Sequence, residues 1–173
     1  MKYYKIRSYA KINLALNVVG KTDYLHKIES IVSFLNLHDE ILIKKIKDKK
    51  QKIKFTGKFS QKIKSKNTVS KLLYILDKKG LLDEKYQIIV KKNIPPEAGL
   101  GGGSMNAASI LNFFIKRKKI RIDKKEITEI ANLIGSDTLL GIYSKNLILK
   151  SNNSIKTFSV KKKFYVLIVQ PDF

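Results

Sequence analysis

NIPPEAGLGGGSMNAASILNFFIKRKK, Asn93 to Lys119, places four of the chain's nine glycines, Gly99, Gly101, Gly102 and Gly103, directly before an apolar helical run. Glycine costs roughly 0.5–1 kcal/mol more backbone entropy than alanine inside an ordered element. Such a cluster therefore signals unusual dihedrals or a ligand that must touch bare backbone. A flexible linker is the plain alternative, and the flanks speak against it. KYQIIVKKNIPP reads as a strand closed by Pro95-Pro96, and SMNAASILNFFIKRKK as a helix with Ser104 near its start and lysines in its last turn. A glycine loop between strand and helix faces unpaired helix N–H groups and a partial positive charge, which suits phosphate oxygens. The spacing is neither a Walker A loop, which needs G-K-[ST], nor G-x-G-x-x-G. Tight helix–strand packing is the competing reading of the same glycines.

Working outward, SYAKINLALNVVG alternates as a strand. Ile12, Leu14, Leu16 and Val18 fall on one side; Lys11, Asn13, Ala15 and Asn17 fall on the other. ESIVSFLNLHDEILIKKI reads as extended segments with a turn near His38-Asp39. The lysine-rich stretch from Lys44 to Lys66 reads as a solvated hairpin. NTVSKLLYILDKKG carries an Asn67 N-cap, an apolar stripe and a Gly80 stop. DKKEITEIANLIG pairs Asp123 with Glu126 in a capping box and stops at Gly135. NLILKSN, IKTFSV and KKFYVLIVQPDF are further strand candidates. No internal repeat or linker divides the chain, so residues 1–173 read as one mixed α/β unit.

Two charged residues stand alone in apolar surroundings. Lys11 is the one charge between Arg7 and Lys21, and Asp137, in ANLIGSDTLLGIY, is the one carboxylate between Glu129 and Asp172. Isolated charges of this kind are paired or functional. One reading is a structural Lys11–Asp137 ion pair. The other is phosphoryl transfer, with Asp137 orienting or deprotonating an alcohol and Lys11 keeping that carboxylate ionised. Ser104 could position phosphate or magnesium through its hydroxyl, or simply cap the helix.

Composition narrows the field. The chain has no cysteine and two histidines, which excludes disulfides, thiolate metal sites and cysteine nucleophiles and leaves no histidine-rich metal centre. No apolar run is long enough for a membrane span, no signal peptide opens the sequence, and a cytoplasmic location fits. The net charge of +22 points to anionic partners. However, 33 of the 36 basic residues are lysines, alongside 24 isoleucines and 11 asparagines. All three residues have A/T-rich codons, so genome bias can supply the charge. Base readout favours arginine.

PPEAGLGGGSMNAA, AKINLALNVVG and IGSDTLLG, in this arrangement, resemble the GHMP kinase superfamily. The resemblance is strongest to the branch acting on a cytidine-diphosphate-linked methylerythritol in non-mevalonate isoprenoid synthesis. It implies an α+β, ribosomal-S5-like fold and an ATP- and Mg2+-dependent kinase that phosphorylates the substrate's 2-hydroxyl. By motif it implies Lys11 and Asp137 as the catalytic pair. The ATP loop would be Pro95, Pro96, Glu97, Ala98, Gly99, Leu100, Gly101, Gly102, Gly103, Ser104 and Met105, with no metal ligand assigned. Asn13 would face the erythritol-diphosphate portion and His26 the cytosine. The sequence departs from the pattern at DYLH, where Leu25 replaces the stacking aromatic, and at Met105, where a hydroxyl is usual. Family members continue into a second domain, so residues 1–173 read as the ATP-binding amino-terminal domain of a truncated chain, with turnover by it alone not expected. A basic nucleic-acid-binding S5-like module without catalysis is the alternative.

Overall fold

The computed structural model describes residues 2–21, 26–159 and 164–169. Six strands form one sheet: β1 (Tyr4–Lys21), β2 (His26–Ile46), β3 (Lys52–Thr56), β4 (Lys85–Lys91), β5 (Leu147–Leu149) and β6 (Ile155–Thr157). Four helices accompany it: α1 (Thr68–Lys78), α2 (Gly102–Lys116), α3 (Lys124–Ile134) and α4 (Thr138–Tyr143). Strand order is β3-β4-β2-β5-β6, with β1 antiparallel along the other side of β2.

Period-two alternation decides which sheet face is buried. Ile41 and Ile43 of β2 and Tyr86, Ile88 and Val90 of β4 point to one side. There they meet Leu72 and Leu76 of α1, Ile110, Leu111 and Phe114 of α2, and Ile130 of α3. Helices thus cover one face of the sheet, and the helix faces are those the sequence periodicity marks. The caps form as the sequence predicts. Asn67 accepts from the amides of Val69 and Ser70, and Asp123 and Glu126 close a reciprocal box. On the far end of β4, Glu84 is held below the usual carboxylate range, chiefly by the Lys45 ammonium bonded to it. Burial, helped by a bond donated to Glu84, pushes the Tyr86 phenol up.

Several expectations change. No turn interrupts the chain near His38-Asp39: β2 is a single strand of 21 residues, because β1, β4 and β5 give its backbone partners along its length. The lysine-rich stretch is not a hairpin. β3 pairs in parallel with β4, which lies between it and β2, and Ile53 and Phe55 pack on the core. Lys52 and Lys54 remain exposed on this edge strand, where charge discourages pairing with other chains. In β1, three register shifts break the simple alternation, and residues 14–19 are exposed on both sides of the strand, Leu14, Leu16 and Val18 at 60%, 50% and 61%. Residues 164–169 are exposed and, as described, form no strand. Tyr24 and Leu25 lie outside the described residues.

α4, which the sequence reading does not anticipate, packs against α2 through Gly141. A Cβ there would come within 2.6 Å of the Ala108 Cβ and 3.0 Å of the Met105 sulfur. An exposed helical glycine gains roughly 1 kcal/mol on replacement by alanine; here overpacking should reverse the sign, at a cost of about 1–3 kcal/mol. Gly141→Ala should therefore lower the urea midpoint, and a rise would show that α2 and α4 are not in this contact.

Candidate active site

β1 carries Lys11 into the protein at the point where the glycine loop crosses it. The Lys11 amide donates to the Leu100 carbonyl at 3.0 Å, so loop and strand are joined through backbone. Leu100 itself is buried with Ala10 and Ile94, which anchors the middle of an otherwise side-chain-poor segment. The Lys11 ammonium lies 3.1 Å from Asp137 Oδ2 and donates to Asn13 Oδ1 at 2.8 Å. Asn13 in turn donates to the Ser30 hydroxyl at 2.7 Å, and that hydroxyl donates to the Ala15 carbonyl at 2.7 Å. Lys11 is thus fixed from two sides. Its side chain is 8% exposed while that of Asp137 is 33% exposed, so the carboxylate is the member of the pair open to an incoming molecule. Asp137 immediately precedes α4, after the chain leaves α3 at Gly135.

The loop backbone explains the glycines one at a time. Gly99 and Gly101 adopt φ of 70° and 66°, the left-handed region where a Cβ is unfavourable. Around Gly99 there is open space, whereas a Cβ on Gly101 would meet the Lys11 Cγ at 2.9 Å and Cε at 3.1 Å. Gly102 and Gly103 answer to packing. A Cβ on Gly102 would reach Ile94 Cγ2 at 3.0 Å, and one on Gly103 the Thr68 Oγ1 at 3.2 Å. Unusual dihedrals and tight packing therefore both occur, at different residues. Thr68, the first residue of α1, donates to the Gly103 carbonyl at 2.6 Å and ties the starts of α1 and α2 together.

The loop's concave side is open. A cleft of about 390 Å³ runs along it, bounded by Pro95 to Ser104, Lys11 and Asp137, with Phe55, Ile63 and Val69 adding apolar wall and Asn67 and Thr68 the start of α1. The N-cap of α2 is Gly101, with no side-chain cap bond, so Ser104 does not cap the helix; it lines the cleft. Met105 turns away, its side chain 2% exposed and packed toward Gly141. Asn13 stands beside Lys11, and His26 opens β2 opposite Lys21, with its side chain outside the described residues. Among the described residues, no group of three His, Asp or Glu side chains could hold a metal by itself.

Behind the loop lies a group the sequence reading missed. Asp39 is fully buried. Its Oδ1 accepts from the amides of Asn93 and Ile94 at 2.7 and 2.8 Å, and its Oδ2 from Asn106 Nδ2 at 2.9 Å and from the Lys92 ammonium. The signal was present in the sequence: Asp39 is in phase with Ile41 and Ile43, and Lys92 with Tyr86, Ile88 and Val90, each a charge in a buried row.

Comparison with known proteins bears on the whole arrangement. A family described as GHMP kinases N terminal domain matches residues 67–144, from the α1 cap through the loop and Asp137 to the end of α4. The 4-diphosphocytidyl-2-C-methyl-D-erythritol kinase of Pelagibacter ubique is 55% identical over 100% of this chain, which covers 62% of that protein. The enzyme of the same name from Clostridium tetani is 32% identical over 98% of the chain, covering 60% of its own length. The chain therefore spans about three fifths of the curated relatives it matches. A crystal structure of a 4-(cytidine 5'-diphospho)-2C-methyl-D-erythritol kinase superposes with a TM-score of 0.70 at 21% identity, over 91% of this chain and 56% of that one. A mevalonate kinase from methicillin-resistant Staphylococcus aureus gives 0.58 at 17%, over 91% and 55%. These two likenesses establish the α+β fold. Residues 67–144 thus belong to the GHMP kinases N terminal domain family, and the chain is similar to one 4-diphosphocytidyl-2-C-methyl-D-erythritol kinase, with identity above one half, along the whole of its own 173 residues.

Proposed function

We propose that this chain supplies the nucleotide loop and the catalytic pair of an ATP-dependent kinase that phosphorylates an alcohol. The acceptor is the 2-hydroxyl of 4-diphosphocytidyl-2-C-methyl-D-erythritol, an intermediate of isoprenoid precursor synthesis. The observation that carries the reading is the junction of an open glycine loop with one locked lysine–carboxylate pair, in a chain 55% identical to a kinase of that name.

The residues fit a triphosphate. The first N–H groups of α2 have no intrahelical partner, and the glycines leave no Cβ between them and an anion. An interaction of this kind contributes about 0.3–1 kcal/mol per exposed anion–helix contact and up to about 2 when partly buried. Phe55, Ile63 and Val69 offer apolar surface for a planar base in the same cleft. ATP would supply the transferable phosphoryl group, and the Ser104 hydroxyl, which lines the cleft, would be available to a Mg2+ ion that offsets phosphate charge.

Asp137 accepts the proton of the substrate hydroxyl, or at least its hydrogen bond, and so aims the oxygen at the γ-phosphorus. Lys11 keeps that carboxylate ionised and offsets negative charge developing on the transferred group. Asn13 holds the ammonium in place from the other side, and the Asn13–Ser30 bond leaves Asn13 no freedom to rotate away. Phosphoryl transfer asks for positioning more than for covalent chemistry, and this chain of bonds supplies it.

In the native protein, Asp137→Asn should reduce phosphorylation of the cytidine-linked alcohol by about 10²–10⁴-fold, the range typical of a lost general base, with ATP affinity within a fewfold. Near-normal turnover would remove Asp137 from the mechanism. The glycines give a graded test by calorimetric titration with Mg–ATP. Gly99→Ala, strained but unobstructed, should weaken binding by no more than about fivefold, the equivalent of roughly 1 kcal/mol of left-handed backbone strain. Gly101→Val, which also displaces Lys11, should weaken it well beyond that; equal effects would show that the contact with Lys11 does not matter.

A further inference from the structure

Asp39 is placed to govern the phosphate loop without touching anything bound in it. Its partner Lys92 lies directly across from it in the β2–β4 register, one step beyond the Glu40–Lys91 pair. The two side chains are 0% and 3% exposed. One carboxylate oxygen holds the amides of Asn93 and Ile94, where the chain leaves β4. The other holds Asn106, in the second turn of α2. Residues 93–94 and 106 are the two ends of the glycine loop. A loop with few side chains cannot fix its own span, and here one carboxylate clamps both ends to β2.

We propose that Asp39 is a positioning residue for nucleotide binding: by joining β4's exit, α2 and β2, it sets the loop curvature that exposes the α2 amides to phosphate. The proposal rests on the nucleotide reading of the cleft. Lys92 belongs to the same device. Its ammonium lies 3.3 Å from where a Gly102 Cβ would be, so it fills the wall behind the helix start. Four donors converge on Asp39, and a buried carboxylate so supplied stays in one place, because each departure leaves charge or N–H groups unpaired.

The test compares three variants of the 173-residue chain. Asp39→Asn leaves two donors, the Lys92 ammonium and the Asn106 amide, facing an amide that can satisfy at most one geometry. Asn106→Leu removes one tie from the α2 end. Leu72→Ala, under the sheet and away from the loop, serves as a control for general loss of stability. Site-resolved amide exchange without nucleotide reports the loop, and titration with Mg–ATP reports binding. Asp39→Asn should accelerate exchange across residues 93–104 by at least tenfold and raise the nucleotide Kd by at least tenfold. Asn106→Leu should do both by three- to tenfold. Leu72→Ala should lower the melting temperature while leaving Kd within twofold. Asn106 and Lys92 also line the cleft. Should Asp39→Asn not fold, Asn106→Leu therefore supports the proposal only where loop exchange and Kd change together, and a raised Kd with unchanged exchange overturns it. Unchanged loop exchange in the folded variants, or faster exchange with unchanged Kd, overturns the proposal. Absence of Mg–ATP binding by the unmodified chain would sink the nucleotide reading instead, and exchange would then still decide whether Asp39 holds the loop.

Discussion

A carboxylate sealed from water has to find every hydrogen bond inside the protein, and Asp39 finds four. That constraint shapes the centre of this molecule. Two of the donors are backbone amides, so the chain after β4 has one direction of exit. A third is an α2 side chain, which fixes where that helix begins relative to the sheet. The Lys11 amide then holds the loop's midpoint by the Leu100 carbonyl. Between these fixed points the backbone passes through left-handed dihedrals at Gly99 and Gly101. Glycine makes the curve possible, but external ties make it unique.

The helices and their caps are legible in the sequence because they depend on near neighbours. Asn67, Asp123 and the apolar stripes act within a turn or two, and the structure places them as the sequence predicts. The juxtaposition of Lys11 and Asp137 is legible for a different reason: both stand alone as charges in apolar runs, and the geometry brings them to 3.1 Å. What the sequence hides is long-range. β3 shows alternation but not that its neighbour is β4, some thirty residues later, rather than β2. β2 looks divisible at His38-Asp39 because Asp favours turns. Partners from distant segments override that local preference and bury the carboxylate in mid-strand. The exposed Leu14, Leu16 and Val18 carry the same lesson, since residues 14–19 of β1 are exposed on both sides of the strand and alternation there marks no buried face.

The glycine cluster shows how one pattern can answer two demands. Gly102 and Gly103 leave little room for a Cβ, which would come within 3.0 Å of Ile94 and 3.2 Å of Thr68. That packing brings the start of α2 against the strand and against α1. Only a helix held so closely presents its first amides at a fixed height above the loop. Packing at Gly102 and Gly103 thus stands beside left-handed dihedrals at Gly99 and Gly101, and in the proposed nucleotide site the first would hold the helix that the second leaves uncovered.

Charge accounting around the cleft shows which forces attract an anion there. Lys11 is matched by Asp137 and Lys92 by Asp39, while Glu97 adds a further carboxylate to the rim. The side chains nearest the loop therefore bring no surplus of positive charge, in a chain whose overall balance is +22. Close attraction for phosphate has to come from oriented backbone: the free amides of α2 and the partial charge at its start. The distant lysines contribute a diffuse field that salt screens over about 10 Å at 0.1 M ionic strength. Such a field raises the encounter rate with any polyanion but does not choose among them. In the proposed nucleotide site, selection would fall to the α2 amides. For that reason a mostly lysine surface and a charge-balanced cleft can coexist in one chain: under the proposed function the first would set how often anions arrive and the second which of them stay.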